Sequence, residues 1–158
     1  MNLASPSGLH WYEYRCPPPK GCAVNWTLEV VIVPVSDIDR AKEFYAEKLG
    51  FAVDHDTRIG DGVRIVQLTP PGSGCSIVIG AGAVPDMEPG SQQGLQLVVN
   101  DLLRAHKELV SRGVEVTEIQ VLGENPTPMP DPLDNVGFFF FTDPDGNGWA
   151  VQQISTRP

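Results

Sequence analysis

Residues 136–154 read VGFFFFTDPDGNGWAVQQI, and this stretch decides the fold because it describes two strands around one tight connection. The apolar run 138–141 is bounded by Gly137 and by Asp143-Pro144-Asp145-Gly146-Asn147. Pro144 presets φ, and Gly146 and Asn147 tolerate φ > 0, so the pentapeptide has the residues a turn needs. Beyond it, side chains alternate with period two, which sets Trp149, Val151 and Gln153 on one face and Ala150, Gln152 and Ile154 on the other. The four phenylalanines supply two rings to each face, one pair for the core and one to stack on a planar ligand. Phe139 and Phe141 are taken here as the ligand-facing pair, although alternation by itself leaves the phase open.

Working outward, the same pattern occurs twice. In the first copy LEVVIVPV reads as a strand, and Ser36-Asp37-Ile38-Asp39 as a helix start in which Ser36 caps and Asp39 completes a box-like arrangement. Acidic side chains there suit the positive end of the helix dipole. Ile38, Ala41, Phe44, Tyr45 and Leu49 recur at helical spacing and should face a sheet, with Gly50 just past the helix end. Residues 51–56, 63–69 and 75–79 follow as strands joined by IGDG and PPGSG turns.

After an irregular linker, residues 80–90, GLQLVVNDLLRAHKELVSRGVEV overlays VVIVPVSDIDRAKEFYAEKLGFAV at an offset of 64, from Val30 to Gly94. Val33 then matches Leu97, Asp37 matches Asp101, and Arg40 matches Arg104. The later hairpins match at an offset of 73, the difference falling mainly in the proline-bearing loop 117–135. The chain therefore predicts an α+β fold of two βαβββ modules, residues 27–79 and 91–158, behind an N-terminal extension of residues 1–26.

At 158 residues with 41% hydrophobic side chains, the chain is long enough to bury a core. A net charge of −9 argues against a basic nucleic-acid or anionic-membrane surface. No apolar run reaches the roughly 18–20 residues of a membrane span, and the start lacks the pattern of a signal peptide, so a cytoplasmic protein is expected. Cys16, Cys22 and Cys75 form neither a disulfide framework nor a close metal-binding pair. The extension carries Trp11, Tyr12, Tyr14 and Trp26, which suggests that it lies across the domain or a partner subunit.

A strand-Val-x-Asp-helix-Phe-Tyr opening, its repetition and the DPDGN hairpin together resemble the vicinal oxygen chelate superfamily of glyoxalases, bleomycin-resistance proteins and dioxygenases. The resemblance covers residues 27–154 and implies two modules whose sheets curve around a cleft, commonly in a homodimer. In the metalloenzymes of that superfamily the cleft holds a divalent metal. The family's metal positions fall here on Val30, Ile77, Gly94 and Ala150, none of which offers a ligating side chain. No metal and no cofactor is therefore expected.

The residues in phase with Val30 and Ala150 are Ile32, Ile79, Gln96, Val98, Gln152 and Ile154, an apolar wall with two amides that can orient a ligand. Val31, Val33, Val35, Leu97, Val99, Trp149 and Val151 should pack against the helices. The expected ligand contacts are Ile32, Gln96, Val98, Phe139, Phe141 and Gln152. His10 lies in the tail and His106 on the second helix, leaving His55 as the one candidate for neutral-pH acid–base chemistry, with Arg58 or Arg64 as an anion partner. Asp131 and Asp134 are alternative acids in the loop 117–135, whose length suits a lid. The reading is metal-independent binding of a small, partly apolar molecule. Its alternatives are a metal-dependent or acid–base lyase, isomerase or dioxygenase of the same superfamily, and a protein-interaction module with a vestigial cleft.

Overall fold

The computed structural model describes residue 24, residues 26–124 and residues 130–157. Each module begins with a strand that feeds a helix through an aspartate: β1 (Val30–Ile32) leads to α1 (Ile38–Glu43), and β5 (Leu95–Val99) to α2 (Leu102–Ser111). The Asp37 and Asp101 carboxylates accept from the backbone N–H three residues on, Arg40 at 3.0 Å and Arg104 at 2.9 Å. Asp37 is thus the cap, one residue later than expected. Ser36 is free to donate its hydroxyl to Asp145 at 2.5 Å, and Asp39 pairs with Arg64 instead of closing a box.

α1 continues into one π-turn, Phe44–Lys48, with Leu49 N–H donating to Phe44 O at 3.1 Å. Helical periodicity does not signal this wider turn. Its residues Phe44 and Tyr45 are both buried, although they are adjacent in sequence. The positive φ of Gly50 (76°) then reverses the chain into β2, as expected.

The three further strands of the first module are β2 (Ala52–Ile59), β3 (Val63–Thr69) and β4 (Ser76–Ala81); those of the second are β6 (Gln120–Val121), β7 (Gly137–Thr142) and β8 (Gly148–Gln153). Each module closes a four-stranded mixed sheet in which its first strand pairs parallel to its last: β1-β4-β3-β2 and β5-β8-β7-β6.

The connection from β3 to β4 spans six residues (70–75), whereas that from β7 to β8 spans five (143–147). The offset of 73 therefore holds for β3 and β7 but becomes 72 for β4 and β8. In a period-two element a slip of one residue exchanges the faces. Val30 pairs with Ser76 and Ile32 with Val78, so Val78, not Ile77, is the counterpart of Ala150. Ile77 and Ile79 are buried on the helix side, which corrects both sequence assignments.

One apolar core joins the modules. Val33, Val66, Leu68, Ile77 and Ile79 of the first sheet and Phe139, Phe141, Trp149 and Val151 of the second belong to it, together with Ala41, Phe44 and Tyr45 of the first helix and its π-turn. Tyr45 packs on Trp149 (ring centroids 5.8 Å) and Phe44 on Phe141 (6.3 Å), so the first helix is a wedge against the second sheet. Burial of such side chains contributes about 1.5–3 kcal/mol each.

A buried polar knot lies beside this wedge. Asp143 Oδ2 accepts from the Tyr45 hydroxyl at 2.8 Å and Asn147 Nδ2 at 2.7 Å, and Oδ1 accepts from the Asp145 and Asn147 amides, each at 2.9 Å. Asn147 Nδ2 also donates to Pro34 O at 2.9 Å, and Trp149 Nε1 to the Tyr45 oxygen at 3.2 Å. The DPDGN stretch is therefore both a turn and the polar clamp that holds one module to the other.

Candidate ligand site

Because the helix-side faces of both sheets share one core, each opposite face is turned away from that core. On the second sheet this open face has two rows. Gln96, Ala150 and Phe140 stand in one, and Val98, Gln152, Phe138 and Gln120 in the other. Three of the expected contacts, Gln96, Val98 and Gln152, are brought together here, beside Ala150 at one of the metal positions that the resemblance implies.

The aromatic expectation needs correction. Phe139 and Phe141 are 0% and 4% exposed in the core, Phe141 stacked on Trp149, and the half-buried Phe138 and Phe140 occupy the open face instead. The reason is the hairpin register, which sets Phe141 opposite Trp149 and Phe139 opposite Val151. Phe138 and Phe140 have parallel rings, 7° apart in plane with centroids separated by 6.3 Å. Beside Phe140 opens a cavity of ≈ 340 Å³ that Glu115, Val116, Thr117 and Thr142 also line.

The two amides bond each other. Gln96 Nε2 donates to Gln152 Oε1 at 2.5 Å, and Gln152 Nε2 donates to Asn135 O at 2.7 Å. This chain fixes Gln152 and leaves the exposed Gln96 Oε1 as an acceptor with no partner among the described residues.

On the first sheet the open face carries Val30, Ile32, Val78, Ser76, Gln67, Thr69 and Ile65. His55 stands opposite Gln67 at the exposed edge strand β2. Ile32 is half-buried beside a groove of ≈ 470 Å³ that separates β1 and β4 from linker residues Val84 and Met87.

The positions at which the resemblance places a divalent cation carry Val30, Val78, Gly94 and Ala150 once the register is corrected. Their side chains contain no oxygen, nitrogen or sulfur, so this set does not fit a metal. Among the described residues no three His, Cys, Asp or Glu side chains converge as a cation cage.

The acid–base candidates are dispersed. Arg64 lies on the helix side of its sheet, the face opposite His55. It donates to Asp56 at 2.9 Å through both Nε and Nη2, and to Asp39 at 2.7 Å through Nη1. These bonds, with Lys42, hold the Asp56 carboxyl well below the usual range and push the Arg64 guanidinium up. Arg58, the cross-strand partner of Arg64, lines with it a polar cavity of ≈ 410 Å³ that Ser36, Asp37 and Asp39 also border. His106 bonds Thr117 O at 3.0 Å and sets its ring edge against Phe139. Asp131 accepts from Leu133 N–H and Gln153 Nε2, and buried Asp134 accepts from Ser155, whose hydrogen bonds lower the Asp134 pKa. These two carboxylates pin the end of loop 117–135 to β8, which is a structural task. Residues 125–129 of that loop and most of the extension lie outside the described residues; Trp26 is 92% exposed, so its ring is not buried against the described residues.

Sequence reasoning missed a second polar strip, Asp54-Thr69-Ser76-Gln67. The difference between the six- and five-residue connections signals the phase of Ser76, but nothing in the residue types announces the β-bulge between Val53 and His55 that re-aims Asp54.

Residues 25–151 match the family description "Glyoxalase/Bleomycin resistance protein/Dioxygenase superfamily". The uncharacterized protein YwkD of Bacillus subtilis (strain 168) is 32% identical over 123 residues, covering 73% of this chain and 87% of that one. Among solved structures, TnmS3, an antibiotic binding protein from Streptomyces sp. CB03234, is 33% identical at a TM-score of 0.64, covering 85% of this chain and 100% of that one. A glyoxalase/bleomycin resistance protein from the same organism is 34% identical at a TM-score of 0.61, covering 80% and 100%. With two βαβββ modules, an interlocking DPDGN turn and this match, the chain belongs to the glyoxalase/bleomycin resistance protein/dioxygenase superfamily.

Proposed function

We propose that this protein binds a small, partly apolar, planar molecule without a metal, and that it does so as a homodimer. The observation that carries the reading is the open face of the second sheet, where the parallel rings of Phe138 and Phe140 flank Ala150 beside the Gln96–Gln152 amide pair. A flat apolar ligand aligned with one ring meets the other in nearly the same orientation, and Gln96 Oε1 selects its edge. Such ring contacts contribute about 0.5–1.5 kcal/mol each beyond area burial.

The shared core supports the dimer. Two open faces that point away from one centre do not close a cleft within one chain, so a second copy supplies the facing wall. Val30, Val78, Gly94 and Ala150 support the metal-free part of the proposal, since they leave the cleft apolar where a lyase or dioxygenase would hold its cation. TnmS3 being an antibiotic binding protein supports the class of ligand. Among the described residues no helix is long and apolar enough to cross a membrane.

Isothermal titration with bleomycin and a panel of planar aromatic antibiotics, alongside light scattering for mass, tests the proposal. Saturable binding by a dimer, unchanged after EDTA, is the expected result. A monomer, or binding abolished by EDTA and restored by a divalent cation, would overturn it.

A further inference from the structure

The open face of the first sheet carries a hydrogen-bonded chain whose direction is forced. Thr69 Oγ1 donates to Asp54 Oδ2, Thr69 Oγ1 and Ser76 Oγ stand 2.6 Å apart, and Gln67 Nε2 donates to Ser76 Oγ at 3.2 Å. A hydroxyl has a single proton. With the Thr69 proton on Asp54, Ser76 must donate to Thr69, and Gln67 to Ser76. All three donors therefore run toward the Asp54 carboxylate and polarise one another in that direction. Among the described residues Asp54 Oδ1 and Gln67 Oε1 have no donor, so the strip turns acceptors outward.

The geometry depends on the bulge between Val53 and His55. Ala52 lies opposite Thr69 and His55 opposite Gln67, so two intervening residues, Val53 and Asp54, share the space of one, Leu68. The extra residue brings Asp54 onto the same face as His55, although neighbours in a regular strand point to opposite faces. Ser76 is 6% exposed, which anchors the inner end of the chain in the sheet, while Asp54 at its outer end stands exposed on the edge strand β2.

The internal repeat sharpens the point. At the offset of 73, Ile65 and Gln67 correspond to Phe138 and Phe140. One module thus presents an aromatic pair where the other presents an isoleucine and the Gln67 amide that joins the strip to Asp54. We infer that the ligand is unsymmetrical: its planar end lies on Phe138 and Phe140, and a hydrogen-bond-donating end, best an ammonium, is bound by Asp54 and Gln67 across the cleft. This rests on the cleft reading above. The chain's net charge of −9 also favours a cationic ligand.

The test uses three naphthalene probes on isotope-labelled full-length protein, read by chemical-shift titration: 2-naphthylmethylammonium, its N-trimethyl analogue, and 2-naphthylacetate. The primary ammonium should bind about ten-fold or more tighter than either other probe, because charge-assisted hydrogen bonds carry the preference. Asp54→Asn should bring the three within about two- to three-fold of one another. Equal binding of the trimethyl compound or of the acetate, or a preference that survives D54N, overturns the inference. If all three probes shift Phe138 and Phe140 but not residues 54, 67 and 69, the inference fails while the aromatic site stands. If none shifts Phe138 or Phe140, both fall together.

Discussion

Replacing Asp143 by Asn probes the clamp between the modules with almost no change of shape. The wild-type carboxylate is 4% exposed and accepts four hydrogen bonds, two at each oxygen. The amide oxygen can keep one pair, most readily the two backbone amides of Asp145 and Asn147. The new NH2 group then confronts two donors, the Tyr45 hydroxyl and Asn147 Nδ2. Tyr45 cannot relieve the conflict by turning, because its oxygen already accepts from Trp149 and its proton would lose its acceptor. Two hydrogen bonds to a charged group are lost, at about 1.5–3 kcal/mol each, less whatever is regained by no longer burying a charge. A net cost of about 3 kcal/mol follows, a large fraction of the roughly 5–15 kcal/mol that holds a domain folded. Urea unfolding should show a midpoint lower by about 1–3 M at unchanged slope, and the thermal midpoint should fall by about 6–12 °C. A loss under about 1 kcal/mol by both methods would refute the reasoning, since it would mean that the clamp is not strained by a donor-for-acceptor exchange.

Other outcomes follow from the same geometry. Burial, and next to it the Asp143 carboxylate, push the Tyr45 phenol far up, so the folded chain keeps this proton where an unfolded tyrosine loses it. Its contribution is present below about pH 10 and is lost as pH rises above it; Tyr45→Phe should flatten the alkaline stability profile measured by urea titration. The Asp56 carboxyl is lowered by hydrogen bonds from Arg64 and Lys42, so the stability it lends is present above about pH 4 and disappears as pH falls; Asp56→Asn should weaken the protein at neutral pH and make it less sensitive to acid. Phe138→Ala and Phe140→Ala should each weaken binding of a planar ligand about two- to ten-fold, whereas Phe139→Ala should act on stability, costing about 3–5 kcal/mol through a core cavity. Incubation with excess zinc, nickel, manganese or iron(II) followed by desalting should leave far less than one metal per chain by mass spectrometry; about one tightly held ion would show that the assigned strand register is wrong.

Much of the fold was legible because its signals are local. Asp37 and Asp101 head two helices whatever surrounds them, Gly50 must follow a helix end, and the overlay from Val30 to Gly94 reports duplication by residue identity alone. The candidate site was legible only in part. Gln96 and Gln152 were placed on the open face because β5 and β8 each continue a phase readable within a single strand. Phe138 and Phe140 were not, because their phase comes from the strand they pair with.

What the sequence determined by itself is the chemistry at each position: two modules, acidic helix starts, and, where the family resemblance places a metal, residues whose side chains carry no donor atoms. That last conclusion survives the register correction, since Val78 is as unable to ligate as Ile77. The tertiary structure decided which face each side chain serves. One additional residue in the 70–75 connection exchanges the two faces of β4, and one bulged residue brings Asp54 onto the acceptor strip. It also decided that DPDGN is a clamp as well as a turn, through a bond from Tyr45 to Asp143 across 98 residues of chain. Local propensity sets what a segment can become, whereas a period-two strand has no preferred face until its partners and the core supply one.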